Sequence, residues 1–372
     1  MPKYLSDYIN SRDNNFNLLR FIAASLVLFS HSHPLSSNQL DPLGTITHMG
    51  FGVVAVDIFF ITSGLLVTKS LFDRKDIVFF IWSRILRIYP ALIIAVLFCI
   101  CVVGAYFTTL PLEDYFNHPD TWKFLRKNST LLNGVYYKLP GVFDNNLWKN
   151  TVNGPLWTLP EEIKMYVIVV IAGFLLYIKP PVVTEEKAKF AFAVICLASL
   201  AWLYYKFALS FPGKRHYHHI SRFLTLFFCG ATYYMMAHRV ILSLRLFLIA
   251  CCILIYFLGN HTPFFIIYFL LIGYITLYIA YVPAGIMRRY NKFGDYSYGM
   301  YIYAFPVQQS VAALIENISV ARMVMLSFSV TLVLAIFSWH LIEKPMLAKK
   351  YLLPDLLSKL ILNNFQKNNL TN

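Results

Sequence analysis

The sequence predicts an all-α, polytopic membrane protein with about ten transmembrane helices and both termini cytoplasmic. Three observations predict it. Of 372 residues, 58% are hydrophobic and 13% are charged, about half the ~25% charged share of a soluble domain. Mean hydropathy is +0.59, and one soluble core cannot hide that much apolar surface. Apolar runs of about 20 residues, the length that crosses a bilayer, recur along the chain. An aromatic content of 17% excludes disorder. Six Cys are too few for a disulfide scaffold, and all lie in apolar stretches, where Cys behaves as a small hydrophobe.

The runs fall near 16–36, 51–70, 84–108, 156–178, 189–211, 221–237, 241–259, 263–281, 297–315 and 322–341. The first keeps Arg20 and has no clear small-residue cleavage site, so it reads as a retained helix rather than a signal peptide. Basic residues gather in alternate loops: Arg74 and Lys75, Arg84 and Arg87, Lys179 to Lys189, Arg239 and Arg245, Arg288 to Lys292, and Lys344 to Lys350. This pattern turns those loops and both termini to the cytoplasm. It also accounts for the net charge of +14, so no nucleic-acid partner is expected. Two outer loops run against the trend. One holds Lys214 and Arg215; the other, about 109–155, is basic and also carries Glu113, Asp114, Asp120 and Asp144. A loop that long is usually functional. A short amphipathic helix is expected near 120–132, with Asp120 as its N-cap. The expected division is a membrane domain over 1–345 and a cytoplasmic tail over 346–372.

Ionisable groups inside a bilayer are costly and mark functional sites. Arg20 and His31 stand eleven residues apart in the first run, about three turns plus 20°, so they share one face about 16 Å apart. His33 falls on nearly the opposite face. A surface-seeking Arg20 and an end-capping His31 would account for the same pattern. Asp57, in Gly52-Val-Val-Ala-Val-Asp-Ile-Phe-Phe-Ile-Thr-Ser-Gly64, lies about 9 Å in from the outer end of its helix. Glu162, in Trp157-Thr-Leu-Pro-Glu-Glu162, reaches a similar depth, as does His31. Three polar groups from three helices at one level predict a His base oriented by a carboxylate. Local caps and interhelical bonds are the alternative.

Arg84 and Arg87, in Arg-Ile-Leu-Arg-Ile-Tyr-Pro90, put two guanidinium groups on one helix face at the cytoplasmic mouth. Planar forks suit phosphate, although basic anchoring is the ordinary role of any one of them. His216, His218 and His219 lack carboxylate or Cys partners and read as a solvated loop; no metal is expected. Tyr296-Ser-Tyr-Gly-Met-Tyr-Ile-Tyr303 reads as helix packing whose hydroxyls could line a polar cavity. No Gly-x-Ser-x-Gly, Walker A, His-Glu-x-x-His or Gly-x-Gly-x-x-Gly motif occurs.

Taken together and in order, these pieces resemble the bacterial membrane acyltransferase family three, which includes O-antigen, exopolysaccharide and nodulation-factor O-acetyltransferases. The resemblance covers nearly the whole chain. It rests on Arg20-x10-His31, the Gly52–Gly64 run, Arg84-x-x-Arg87-Ile-x-Pro90, Leu139-Pro-Gly-Val-Phe143 and Val152-Asn-Gly-Pro-Leu-Trp-Thr-Leu-Pro-Glu-Glu162. Tyr296-Ser-Tyr-Gly, Phe305-Pro-Val-Gln-Gln309 and Ile342-Glu-Lys-Pro345 complete it. Gly154-Pro-Leu-Trp157 departs from the family's frequent Gly-Ser-Leu-Trp. The extra extracytoplasmic esterase-like domain of some members is expected to be absent.

The resemblance implies transfer of an acyl group, usually acetyl, from cytoplasmic acyl-CoA to a sugar hydroxyl of a cell-surface or exported glycan, at the inner membrane. It implies His31 as the catalytic residue and Arg20 as its motif partner. Arg84 and Arg87 become donor-phosphate contacts, and Glu162 fits the motif's acidic position. The expected site is therefore His31, Glu162 and Asp57 for catalysis, with Arg20, Arg84 and Arg87 on acetyl-CoA. The acceptor would be a glycan or lipid-linked sugar. The alternative is a secondary transporter or exporter of a lipid-linked glycan, which would also bury charges among about ten helices; the half-repeats common in such proteins are not seen.

Overall fold

The computed structural model describes residues 3–11, 13–177, 183–209 and 219–356. Lys179, Lys214, Arg215, His216, His218 and the end of the expected tail lie outside the described residues. Among the described residues the fold is all-helical, apart from two isolated bridges.

Each expected run contains a helix. These are α1 (Phe16–Ser37), α2 (Phe51–Arg74), α3 (Ile77–Phe98), α4 (Thr158–Tyr177) and α5 (Glu185–Leu209). Then follow α6 (His219–Met235), α7 (Leu244–Tyr256), α8 (His261–Tyr281), α9 (Ser297–Leu314) and α10 (Val320–Phe337). Among the described residues, six of them (α1, α2, α3, α5, α8 and α10) are long and apolar enough to cross a membrane, α3 and α10 with their extensions. The chain is a multi-pass membrane protein.

The centre is built from α1, α2, α6 and α9. Helix α2 packs on α6 and on α1, and α1 packs on α9, which in turn packs on α10. Two glycines set the α2–α6 crossing. A methyl group at Gly64 would overlap the Phe227 carbonyl, and one at Gly230 would overlap that of Ile61. Backbones this close need small residues at the crossing. Phe60 stacks on Phe223 beside it, centroids 4.0 Å apart.

Two local expectations change. Helix α3 starts at Ile77 rather than near 84, because Asp76 caps it by accepting from the Phe79 amide at 2.9 Å. Arg84 therefore lies inside the helix, about 10 Å from its end. In the long loop, the amphipathic helix spans Pro119–Thr130, and its N-cap is His118, not Asp120. His118 Nδ1 accepts from the Asp120 amide at 3.1 Å; Pro119 occupies the first helical position, where its missing N–H costs nothing.

Two π-helical turns extend these helices, Cys99–Gly104 after α3 and Ser338–Glu343 after α10. The second carries Glu343 into the interior, 2% exposed, where it accepts from Ser338 Oγ at 2.9 Å.

Candidate active site

One end of the bundle is basic. Arg20 near the start of α1, Arg74 at the end of α2, Arg84 and Arg87 in α3, and Lys350 beyond α10 line a cavity of about 420 Å³. Asp295, in the turn before α9, is the one acid lining it among the described residues. Asp295 meets Arg87 at 2.5 Å and Arg20 at 3.6 Å, and it accepts from the Ser297 hydroxyl and amide. Burial alone would push its carboxyl up; Arg87 and then Arg20 outweigh this and hold it down at about 2.

The two α3 arginines differ. Arg87 is tied to Asp295 and, at 3.4 Å, to Glu343. Arg84 lies over the rings of Phe80 and Tyr166, and its buried Nε has no hydrogen-bond partner among the described residues. The expected matched pair of forks is thus one fork held by acids and one open. Arg74, missed in the sequence as a site residue, is fixed over the Phe79 ring at 4.1 Å and donates to the Tyr351 hydroxyl at 2.9 Å.

Arg20 also lines a second, narrower cavity of about 40 Å³ with Phe59, Ser63, Glu162, Tyr298 and Tyr301. Its guanidinium sits 5.7 Å from the Phe59 ring centroid. Glu162 accepts from Ser63 Oγ at 2.8 Å and from the Tyr166 hydroxyl. Its neighbour Glu161 pairs with Lys164 at 2.7 Å. The segment before α4 is clipped onto α9: Asn153 donates to the Ile302 carbonyl at 2.9 Å, and Thr158 and Tyr301 share a 2.5 Å hydroxyl bond.

One turn beyond Tyr301 on α9 is Phe305, and there His31 is found. The two rings are 5.3 Å apart and nearly perpendicular. Trp148, from the long loop, lies 6.1 Å from His31 and 5.6 Å from Phe305. His31 Nδ1 is 2.9 Å from the Val27 carbonyl. A carbonyl only accepts, so Nδ1 carries the proton and the neutral ring keeps its lone pair on Nε2.

The expected trio of His31, Glu162 and Asp57 does not close into one contact cluster. Arg222 on α6 pairs with Asp57 Oδ1 at 2.5 Å, and the Tyr268 hydroxyl donates to Oδ2 at 2.8 Å. Both Asp57 oxygens are engaged there, with Asp57 0% and Arg222 3% exposed. The acid bonded beside His31 in the chain is Asp41, which accepts from the Ser30 hydroxyl. It caps a short helix, Pro42–Thr47, and receives bonds from Ser30, Gly44 and Phe51. An Asp directly before Pro at a helix start was the signal available in the sequence. No group of three or more metal-ligating side chains occurs among the described residues.

Residues 13–341 match the Acyl_transf_3 family, an acyltransferase domain. An O-acetyl transferase of Shigella phage Sf6 is 29% identical over 355 residues, 91% of this chain and 97% of that protein. Nodulation protein 10 of Rhizobium leguminosarum bv. viciae is 33% identical over 170 residues, 43% of this chain and 44% of that protein. No solved structure matches. A family match that begins just before α1 and runs into the π turn after α10 leads to one conclusion: the chain belongs to the Acyl_transf_3 family and is a membrane acyltransferase.

Proposed function

We propose that this protein is an inner-membrane O-acyltransferase. It moves an acetyl group from cytoplasmic acetyl-CoA to a hydroxyl of a cell-surface or exported glycan, or of its lipid-linked precursor. The observation that carries the reading is the basic cavity: among the described residues, five cations and one acid line about 420 Å³, and Arg20 also lines the narrow cavity that holds Glu162 and Tyr301. The O-acetyl transferase of phage Sf6, alike over 91% of this chain, supports acetyl as the group moved.

In this reading the basic end faces the cytoplasm, and Arg84 with Arg74 and Lys350 takes the nucleotide phosphates. Arg84 presents an open fork, and guanidinium–phosphate contacts are strong when buried. Arg87 holds the cavity's shape through Asp295 and Glu343. The pantetheine arm passes Arg20 between α1, α2 and α9 and brings the thioester up to His31, about 16 Å along α1. The small size of the second cavity favours a small acyl group.

His31 Nε2 takes the proton of the acceptor hydroxyl as that oxygen attacks the thioester carbon. The new C–O bond forms, the C–S bond breaks, and the departing CoA sulfur takes the proton back from the imidazolium. The Val27 carbonyl holds the ring in the tautomer this needs. In the other route open to the same atom, Nε2 attacks the thioester carbon and CoA leaves as its thiolate; the acceptor hydroxyl then displaces the imidazole from the acetyl carbon, and its proton passes to that thiolate. Glycan mass measured with and without the protein tests the reading. It predicts an added acetyl only with the protein present; identical masses would oppose it.

A further inference from the structure

We infer that Trp148 is the floor of the acceptor subsite, a stacking platform for a pyranose ring whose hydroxyl is presented to His31. This rests on the proposed function for the nature of the acceptor, and on separate observations for its place.

Trp148 is 39% exposed, yet it is firmly placed. Its carbonyl accepts from Gln309 Nε2 at 2.7 Å, and the same nitrogen donates to the Thr151 carbonyl at 2.7 Å. Gln309 is fully buried, and its side-chain oxygen accepts from Asn146 at 2.7 Å. The indole is therefore mounted on α9 through its backbone, while Phe305 meets its ring at 86°. A large aromatic that is both exposed and fixed presents area to a ligand at low ordering cost.

The loop around it is built to hold that pose. Residues Phe143 and Asn150 both have positive φ, 60° and 54°, and the Asn150 amide closes the loop onto the Phe143 carbonyl at 3.3 Å. A bulky residue in the left-handed region is strained, and such strain gathers at ligand clamps. Between these two residues, the exposed side chains are Asp144, Asn145, Leu147, Trp148 and Lys149. A loop that exposes an indole together with a carboxylate, an amide and an ammonium carries the chemistry that a sugar needs. The C–H face of a pyranose is weakly positive and packs on the negative face of an aromatic ring, while its hydroxyls take the polar rim. The imidazole lies 6.1 Å from the indole, centroid to centroid, so a ring seated against Trp148 comes to rest next to His31.

The test uses the full-length protein in detergent micelles, labelled with 5-fluorotryptophan, with the Trp148 resonance identified from a Trp148→Phe variant. The probes are methyl pyranosides of a hexose, a deoxyhexose and an N-acetylhexosamine. Fluorine NMR should show the Trp148 resonance shifting saturably with at least one of them. Sugar affinity, measured by calorimetry so that variants lacking the indole can be compared, should fall about tenfold in Trp148→Ala and largely return in Trp148→Tyr, with Leu147→Ala neutral. CoA binding by calorimetry on the same samples should be unchanged throughout. CoA binding with no sugar response at Trp148, or sugar affinity that survives Trp148→Ala, overturns the proposal and makes the indole an interfacial anchor. Sugar binding without CoA binding would instead oppose the transferase reading and leave this site standing.

Discussion

Gln308 and Gln309 are neighbours in sequence, yet they fasten two different parts of the molecule to α9. Gln308 Nε2 donates to the Leu28 carbonyl at 2.8 Å, about one turn before His31, and to Ser32 Oγ at 2.7 Å, directly after it. Gln309 holds the Trp148 loop. Successive helical residues point about 100° apart, so the pair ties the helix of the imidazole and the loop above it to one rigid element.

Gln309→Leu should leave two carbonyls without their donor and loosen the Trp148 loop. We expect acceptor KM to rise about tenfold, from a local cost of ~1–3 kcal/mol, with CoA affinity intact. Steady-state kinetics and calorimetry on the purified variant check this. Equal losses for donor and acceptor would assign Gln309 to general stability.

Asp57→Asn should behave as a stability variant. Its partner Arg222 would be left buried without a counter-charge, which costs about 3–5 kcal/mol. The thermal midpoint in detergent should drop sharply. Replacing both residues, Asp57→Leu with Arg222→Met, should recover much of it. A pH–rate profile altered at unchanged melting temperature would show instead that Asp57 serves the reaction.

The arginines of α3 should separate. Arg84→Ala should weaken CoA binding with little change in melting, because its fork has no acidic partner among the described residues. Arg87→Ala should lower melting as well, since Asp295 and Glu343 lose their shared cation. Lys should rescue Arg84 only in part, lacking the planar fork.

Asp295 itself adds no step to the pH response of this cavity near neutrality. A carboxyl held at about 2 by Arg87 and Arg20 contributes stability fully above its unfolded value near ~3.9. That contribution fades progressively once pH drops below the unfolded value and is gone below about 2. CoA affinity between pH 5 and 8 should therefore show no step attributable to Asp295, and Asp295→Asn should lower affinity and melting equally at both ends of that ~5–8 range. Calorimetry at several pH values decides it.

The positions of the helices and the basic end were legible because run length and loop charge depend on the bilayer alone. Arg20, Arg84 and Arg87 do line one cavity, as their shared end implied. Which acids meet which bases was not legible. Depth along a helix is set by rise per residue, but the direction a side chain faces depends on how helices rotate against each other. Here the close crossing at Gly64 and Gly230 turns Asp57 toward Arg222 rather than toward α1. Asp295, Trp148 and the roles of the two glutamines sit in turns and loops or depend on contacts across more than 100 residues, which periodicity does not encode.

The account turns on His31, and one measurement tests it most directly. His31→Ala protein, purified beside the wild type, would be given labelled acetyl-CoA and an acceptor glycan, with CoA affinity measured on the same samples. The account predicts unchanged CoA affinity and no labelled glycan from the variant, because the phosphates rest at the basic end about 16 Å away while the proton acceptor is gone. Labelled glycan formed at the wild-type rate would contradict it.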